Sequence, residues 1–295
     1  KNAVRYRKNF VEAYLLLIKS ALISDDVDLA FAVAEKALEV VPGNNMLLNS
    51  QAVVYIRSGD LDPAKNIAMD LIKKNPKFTP AYITLGNVYY LEGKYELARL
   101  VYLKAIEHSS DNKDLYTCAR EYCILNPIER EDYSGELYTG LGLVSLKLGD
   151  KISAFNYLKK STEQAPYDPF VRLNYGKFCL ESGDYEAAVS EFKTALRFNP
   201  RLAEAIVDLG TTYAQIKLFN EAEELYRRAA SYRPDYAETY FNYGILLWDY
   251  RSDLAGALKM FNRFVALKGD TLKQNDPVYK YIKELQQKRQ GAVKK

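Results

Sequence analysis

The sequence predicts an all-α solenoid of helix–turn–helix hairpins, and three observations predict it. Prolines recur at 34-residue spacing, first at Pro42 and Pro76 and again at Pro166, Pro200 and Pro234. Between them the same order of small and aromatic residues returns. It reads Tyr82, Leu85, Gly86, Tyr89, Gly93, Ala98, Tyr102, Ala105 in one period, and Tyr175, Gly176, Gly183, Ala188, Phe192, Ala195 in another. A third period gives Ile206, Leu209, Gly210, Tyr213, Ala222, Tyr226, Ala229. Within each half period apolar residues fall at i, i+3, i+4 and i+7, the stripe of an amphipathic helix. A fixed period of this length marks stacked repeats, each too small to bury its apolar face alone.

The elements follow in order. Residues 1–10 form a basic N-terminal segment with Lys1, Arg5, Arg7, Lys8 and no acid. Residues 11–110 are expected to hold three hairpins. The first (Tyr14, Leu17, Ala30, Ala34, Ala37, Pro42) has Ile18 where later units have glycine and lacks a turn glycine. The second (Ala52, Tyr55, Ala64, Ala68, Pro76) is weak at its start, and the third is complete. One period after Pro76 stands Ser110, and the next proline in phase is Pro166, so the chain carries an insertion. The stretch 111–134 reads as a helix over Leu115, Tyr116, Ala119, Tyr122 and Cys123, ended by Asn126-Pro127, and then a loop over 128–134. Two outcomes stay open: the extra helix redirects the solenoid, or the stack continues past it. Residues 135–268 hold four further hairpins. The last of these reaches Ala257 and Phe261 one residue late, which predicts a longer turn near Tyr250–Asp253. Residues 269–295 form a capping helix, opened by Asp276-Pro277, and a basic tail.

The residue types have physical reasons. Gly86, Gly142, Gly176, Gly210 and Gly244 let a second helix come close to the first. Glycine inside a helix costs about 0.5–1 kcal/mol against alanine, so packing must offset it. Ala98, Ala188 and Ala222 serve the same approach from the partner helix. Gly59, Gly93, Gly149 and Gly183 stand where a positive φ ends the first helix, and the prolines stop the second.

Composition narrows the function. The 25 tyrosines against one tryptophan and one histidine suit half-buried positions on packed helices. The net charge of +3 is too small to argue for nucleic acid. Both ends are basic, with seven Lys or Arg over 272–295 against Asp276 and Glu284, and the body is mildly acidic. No run of 18 apolar residues predicts a membrane span. The chain is expected to be soluble, in the cytoplasm or the periplasm, with a lipid anchor if a signal was removed ahead of Lys1. Cys118 and Cys123 would sit about 8 Å apart on one helix, too far to bridge. With Cys179 they read as small buried side chains. His108, the single histidine, falls between repeats without a nucleophile motif or metal-ligand spacing. Gly140-Leu141-Gly142 lies inside a helix and is no phosphate cradle. No catalytic residue, metal site or cofactor is expected.

The period, the small-aromatic order and the closing proline resemble the tetratricopeptide repeat, over roughly residues 11–267. The resemblance implies a right-handed superhelical solenoid whose first helices line a concave groove. The groove positions it implies include Asn87, Tyr90, Leu143, Leu146, Leu173, Lys177, Leu180, Phe241, Ile245 and Trp248. Members that grip a terminal carboxylate use a Lys and Asn set; here Ile83 stands where the Lys would pair with Asn87, which disfavours that mode. The mostly apolar remainder suits a partner's amphipathic helix or extended segment. The competing reading of this surface is that tight curvature or the chain's own terminal helix covers it. The expected function is a protein–protein interaction scaffold without catalysis, of the kind that helps bacterial envelope or motility complexes assemble. The alternatives are a nucleic-acid-linked or regulatory module acting through the basic termini, and a regulatory arm of a larger enzyme.

Overall fold

The computed structural model describes residues 2–24, 26–110 and 133–293. Among them are fifteen α-helices and no strand. Seven hairpins pair α1 (Asn2–Ile23) with α2 (Val27–Val40), α3 (Asn45–Ser58) with α4 (Leu61–Lys74), and α5 (Thr79–Leu91) with α6 (Tyr95–Ser110). They continue with α7 (Ser134–Lys147) and α8 (Lys151–Gln164), then α9 (Pro169–Glu181) and α10 (Tyr185–Phe198). The last two are α11 (Ala203–Gln215) with α12 (Phe219–Tyr232) and α13 (Ala237–Ile245) with α14 (Leu254–Lys268). A final helix, α15 (Pro277–Val293), follows.

Local chemistry sets these boundaries. Asp26, Asn44, Asp150, Asp168, Asp184 and Asp253 each accept a hydrogen bond from a backbone N–H of the first turn they precede. Such caps are worth about 1 kcal/mol each. The first helices end where Gly59, Gly93, Gly149 and Gly183 take φ between 75° and 89°. In the next two hairpins that left-handed place belongs to Lys217 (φ 66°) and Ser252 (φ 55°). Pro42, Pro76, Pro166, Pro200 and Pro234 each stand two residues beyond the end of a second helix.

The chain divides into two compact units, Lys1–Ala165 and Pro166–Lys295. The first holds α1–α8, so the boundary falls one hairpin after the insertion. Within it α7 packs directly on α6 and α5. The Tyr102 ring lies against both Gly86 and Gly140, leaving neither room for a Cβ. Tyr82, Ala98, Tyr102, Leu137, Leu141 and Val144 form one buried cluster across the insertion, so the stack continues there. The helix expected near Leu115–Cys123 and the loop up to residue 132 lie outside the described residues; Ser134 already opens α7.

The second unit holds α9–α15. The extra residue of its last hairpin does not lengthen the turn, as the spacing had suggested. Arg251–Asp253 is three residues, like Ser182–Asp184 and Ile216–Leu218. A π turn over Leu246–Tyr250 absorbs it instead. One residue inserted inside a helix is accommodated by widening a single turn to i→i+5 bonding. Phe261 thereby still meets Gly244.

In each unit successive first helices touch: α1, α3, α5 and α7 in one, α9, α11 and α13 in the other. Successive second helices make no comparable contact among the described residues. The first helices therefore form the inner side of each unit's curve. Holding an L-residue in the left-handed region costs about 1–2 kcal/mol, partly offset by the freedom glycine loses on folding. Lys217→Gly should therefore raise unfolding stability by about 0.5–1 kcal/mol in urea titrations.

Candidate functional site

The candidate site is the inner face of each unit. On the first unit, Ile23 and Leu91 are about half exposed, at 55% and 54%. Val53, Ile56, Ile83, Tyr90, Leu143 and Leu146 are partly exposed beside them. Tyr90 keeps its ring 5.6 Å from Tyr95. Ile23 and Leu91 are additions to the residues expected from sequence. Their signal was an apolar residue next to an expected groove position, in the last turn before a hairpin bend.

Asn87 is exposed, yet its Oδ1 accepts a 2.7 Å hydrogen bond from the buried Tyr102 hydroxyl. The same arrangement returns in α11, where Thr211 Oγ1 meets the Tyr226 hydroxyl at 3.1 Å. A buried phenol left without a partner costs about 1–3 kcal/mol. The three repeats whose second helix carries Leu158, Phe192 or Phe261 have no hydroxyl to satisfy. They place Leu143, Lys177 and Ile245 where Asn87 and Thr211 stand. Asn87 is thus a partner of the core as well as a surface residue.

The inner face of the second unit differs. Leu173 is buried and Leu180 partly exposed. Phe241, Ile245 and Trp248 pack into a cluster with Phe261, Phe264, Val278 and Leu285. Tyr281 of α15 lies 5.3 Å from the Trp248 ring and 6.3 Å from that of Phe241. Lys288 sits 5.4 Å over the Trp248 ring. The chain's own last helix thus occupies this aromatic end. The signal was present in Val278, Tyr281, Ile282 and Leu285, an i, i+3, i+4, i+7 stripe.

Between these ends the second unit is acidic. Glu181, Glu204, Asp208 and Glu238 lie on its first helices. Glu238 is held by Lys268 at 2.6 Å, and Lys177 reaches Asp208 at 3.7 Å. Asp208 Oδ2 is buried without a hydrogen bond. Burial pushes the Asp208 carboxyl up to about 6; Lys177 opposes this, while Glu204 and Glu181 add to it. Among the described residues no group of three His, Cys, Asp or Glu is placed to hold a metal ion. His108 lies with its ring 5.7 Å from Tyr82. Cys179 is buried and free, and burial holds its thiol up at about 11. Cys118 and Cys123 lie outside the described residues. No helix of the described residues is long and apolar enough to cross a membrane.

Stacked helix–turn–helix pairs with an inner face of first helices define a helical-repeat protein. The tetratricopeptide repeat family matches residues 79–112, 135–168 and 180–242, and the chain is a tetratricopeptide-repeat protein. It is similar to the BBSome complex member BBS4 of Bos taurus, 23% identical over 267 residues, which cover 90% of this chain and 47% of that protein. The crystal structure of the APC/C hetero-tetramer Cut9–Hcn1 shares the fold at TM-score 0.69 and 16% identity, over 92% of this chain and 48% of that one. A tetratricopeptide repeat protein from Parabacteroides merdae matches at TM-score 0.55 and 16% identity, over 94% and 99%. The chain spans about half the length of the first two.

The raised Asp208 value sets a pH dependence. The folded state holds the Asp208 proton up to about pH 6, whereas the unfolded chain releases it near an ordinary 3.8. Between those values the folded state binds more protons, so this group's contribution falls as pH rises and then levels off. Asp208→Asn should stabilise the chain by about 1–3 kcal/mol above pH 6. The gain should vanish near pH 4 in thermal unfolding followed across pH 4–8.

Proposed function

We propose that the chain is a non-catalytic scaffold whose first-unit inner face receives an apolar segment of a partner protein. The observation that carries this reading is the half exposure of Ile23 on α1 and Leu91 on α5, joined by the partly exposed Val53 and Ile56 of α3 between them and flanked by Leu143 and Leu146. Contiguous exposed apolar surface on a folded protein marks an interaction site. Tetratricopeptide-repeat proteins are generally protein-interaction scaffolds, which supports the reading. So do the relatives, one named as a complex member and another solved within a hetero-tetramer. Their names support a place in a multiprotein assembly. An envelope or motility machine is one such assembly, and the captured partner would identify it.

The test is crosslinking in the native source with a photoreactive residue at Leu91, beside an Ile23→Asp/Leu91→Asp variant. These side chains are half exposed, so the fold should tolerate each change within about 0.5 kcal/mol. One defined partner should be crosslinked and should copurify with the wild type. The variant should lose it at least tenfold while its circular dichroism and Tm stay unchanged. Equal copurification with both proteins would overturn the reading.

A further inference from the structure

Four places of the repeat that are buried in α5 and α7 lie open on α1. Ala13, Leu16, Leu17 and Ser20 share one face of α1 and are all exposed, the two leucines at 49% and 54%. At the same places α5 holds Ala81, Thr84, Leu85 and Val88, and α7 holds Leu137, Gly140, Leu141 and Val144; every one of these is buried. The second helix of the hairpin before buries them. α4 packs on α5 and α6 on α7, and the Tyr102 ring of α6 lies against Gly140. α1 packs on α2 and α3, which leave this face uncovered. In the second unit, by contrast, α15 packs on α14, with Val278 and Leu285 fully buried.

We propose that this face pairs with the same face of a second copy of the chain, the two α1 helices running antiparallel. Charge selects the occupant and the direction. Residues 1–10 carry Lys1, Arg5, Arg7 and Lys8 and no acid. Just beyond the other end of α1 stand Asp25, Asp26 and Asp28, and no Lys or Arg occurs from residue 20 to residue 35. Asp26 also caps α2 and keeps its charge in doing so. Glu12 and Lys19 fall between the two ends, one on each side of the middle, and cancel. Cations in the first turns of a helix oppose its dipole, so α1 by itself gains nothing from a basic start.

A two-fold axis between Leu16 and Leu17 satisfies both the shape and the charge. The same patch then serves both copies. Ala13 of one copy falls opposite Ser20 of the other, small against small, and the four leucines fill the middle. Residues 5–8 of one copy come toward residues 25–28 of the other, base toward acid at both ends. A parallel pair would set like charges together. α1 has 22 residues, a length of about 33 Å, so the interface is small and the dimer weak.

The test is sedimentation equilibrium of the whole chain from about 1 to 100 µM, the range suited to such an interface. The wild type should pass from monomer to dimer, and Leu16→Asp/Leu17→Asp should stay monomeric. Two charge variants report the direction. Arg5→Glu/Arg7→Glu/Lys8→Glu turns the basic end acidic, and Asp25→Lys/Asp28→Lys turns the acidic end basic. Each alone should dimerise about tenfold more weakly, an effect of the size expected for a few exposed ion pairs. An equimolar mixture of the two should recover the wild-type affinity, because their ends are again complementary. Circular dichroism and Tm check that each variant is folded. A wild type that stays monomeric to about 100 µM, or a dimer that survives Leu16→Asp/Leu17→Asp, would overturn the pairing. A dimer lost in the leucine variant but indifferent to both charge reversals would overturn the antiparallel arrangement.

Discussion

Everything described above depends on how closely the two helices of a hairpin approach. In five hairpins a first-helix glycine faces a bulky second-helix side chain: Gly86 with Tyr102, Gly142 with Leu158, Gly176 with Phe192, Gly210 with Tyr226 and Gly244 with Phe261. In the first hairpin the bulk is exchanged, with Ile18 and Ala34 buried in one cluster. In the second, Ala52 and Ala68 are both fully buried. Dense interiors tolerate one large side chain at such a contact and not two. Once that separation is set, the first-helix residues on the far side are committed to the inner face. The π turn of α13 shows the strength of the constraint, since the helix widens and the contact with Phe261 is kept.

The repeat, the helix boundaries, the turn glycines and the close-approach glycines were legible in the sequence because each follows from local spacing. Gly183 in a bend and Gly176 in a helix announce their roles by position within the period. The inner-face residues were legible only as a face. Whether Trp248 meets solvent depends on α15, an element about thirty residues away, and periodicity does not specify which surface its Val278–Leu285 stripe covers. Asn87 was visible as a groove position, but its bond to Tyr102 required knowing which hydroxyl is buried beneath it. Lys217 and Ser252 occupy a glycine's backbone conformation with no sign of it in their side chains.

The two inner faces share one backbone pattern and differ in chemistry. The first leaves Ile23, Leu91, Leu143 and Leu146 wholly or partly exposed; the second is acidic in its middle and closed by aromatic packing under α15. The hydrophobic effect gives the first its capacity for association. In the second, the buried Asp208 carboxylate is held at a cost to stability, and Lys177 relieves it only in part at 3.7 Å.

The most direct measurement of the close-approach constraint is a pair of urea titrations of Gly176→Ala, one in the wild type and one in Phe192→Ala. A Cβ at position 176 would come within 2.7 Å of the Phe192 ring. In the wild type the substitution should destabilise by about 1–3 kcal/mol. With the ring removed, the same substitution should stabilise by about 0.5–1 kcal/mol, the ordinary helix preference for alanine over glycine. Equal destabilisation in both backgrounds would contradict the account, because the glycine would then be needed for something other than room for the second helix.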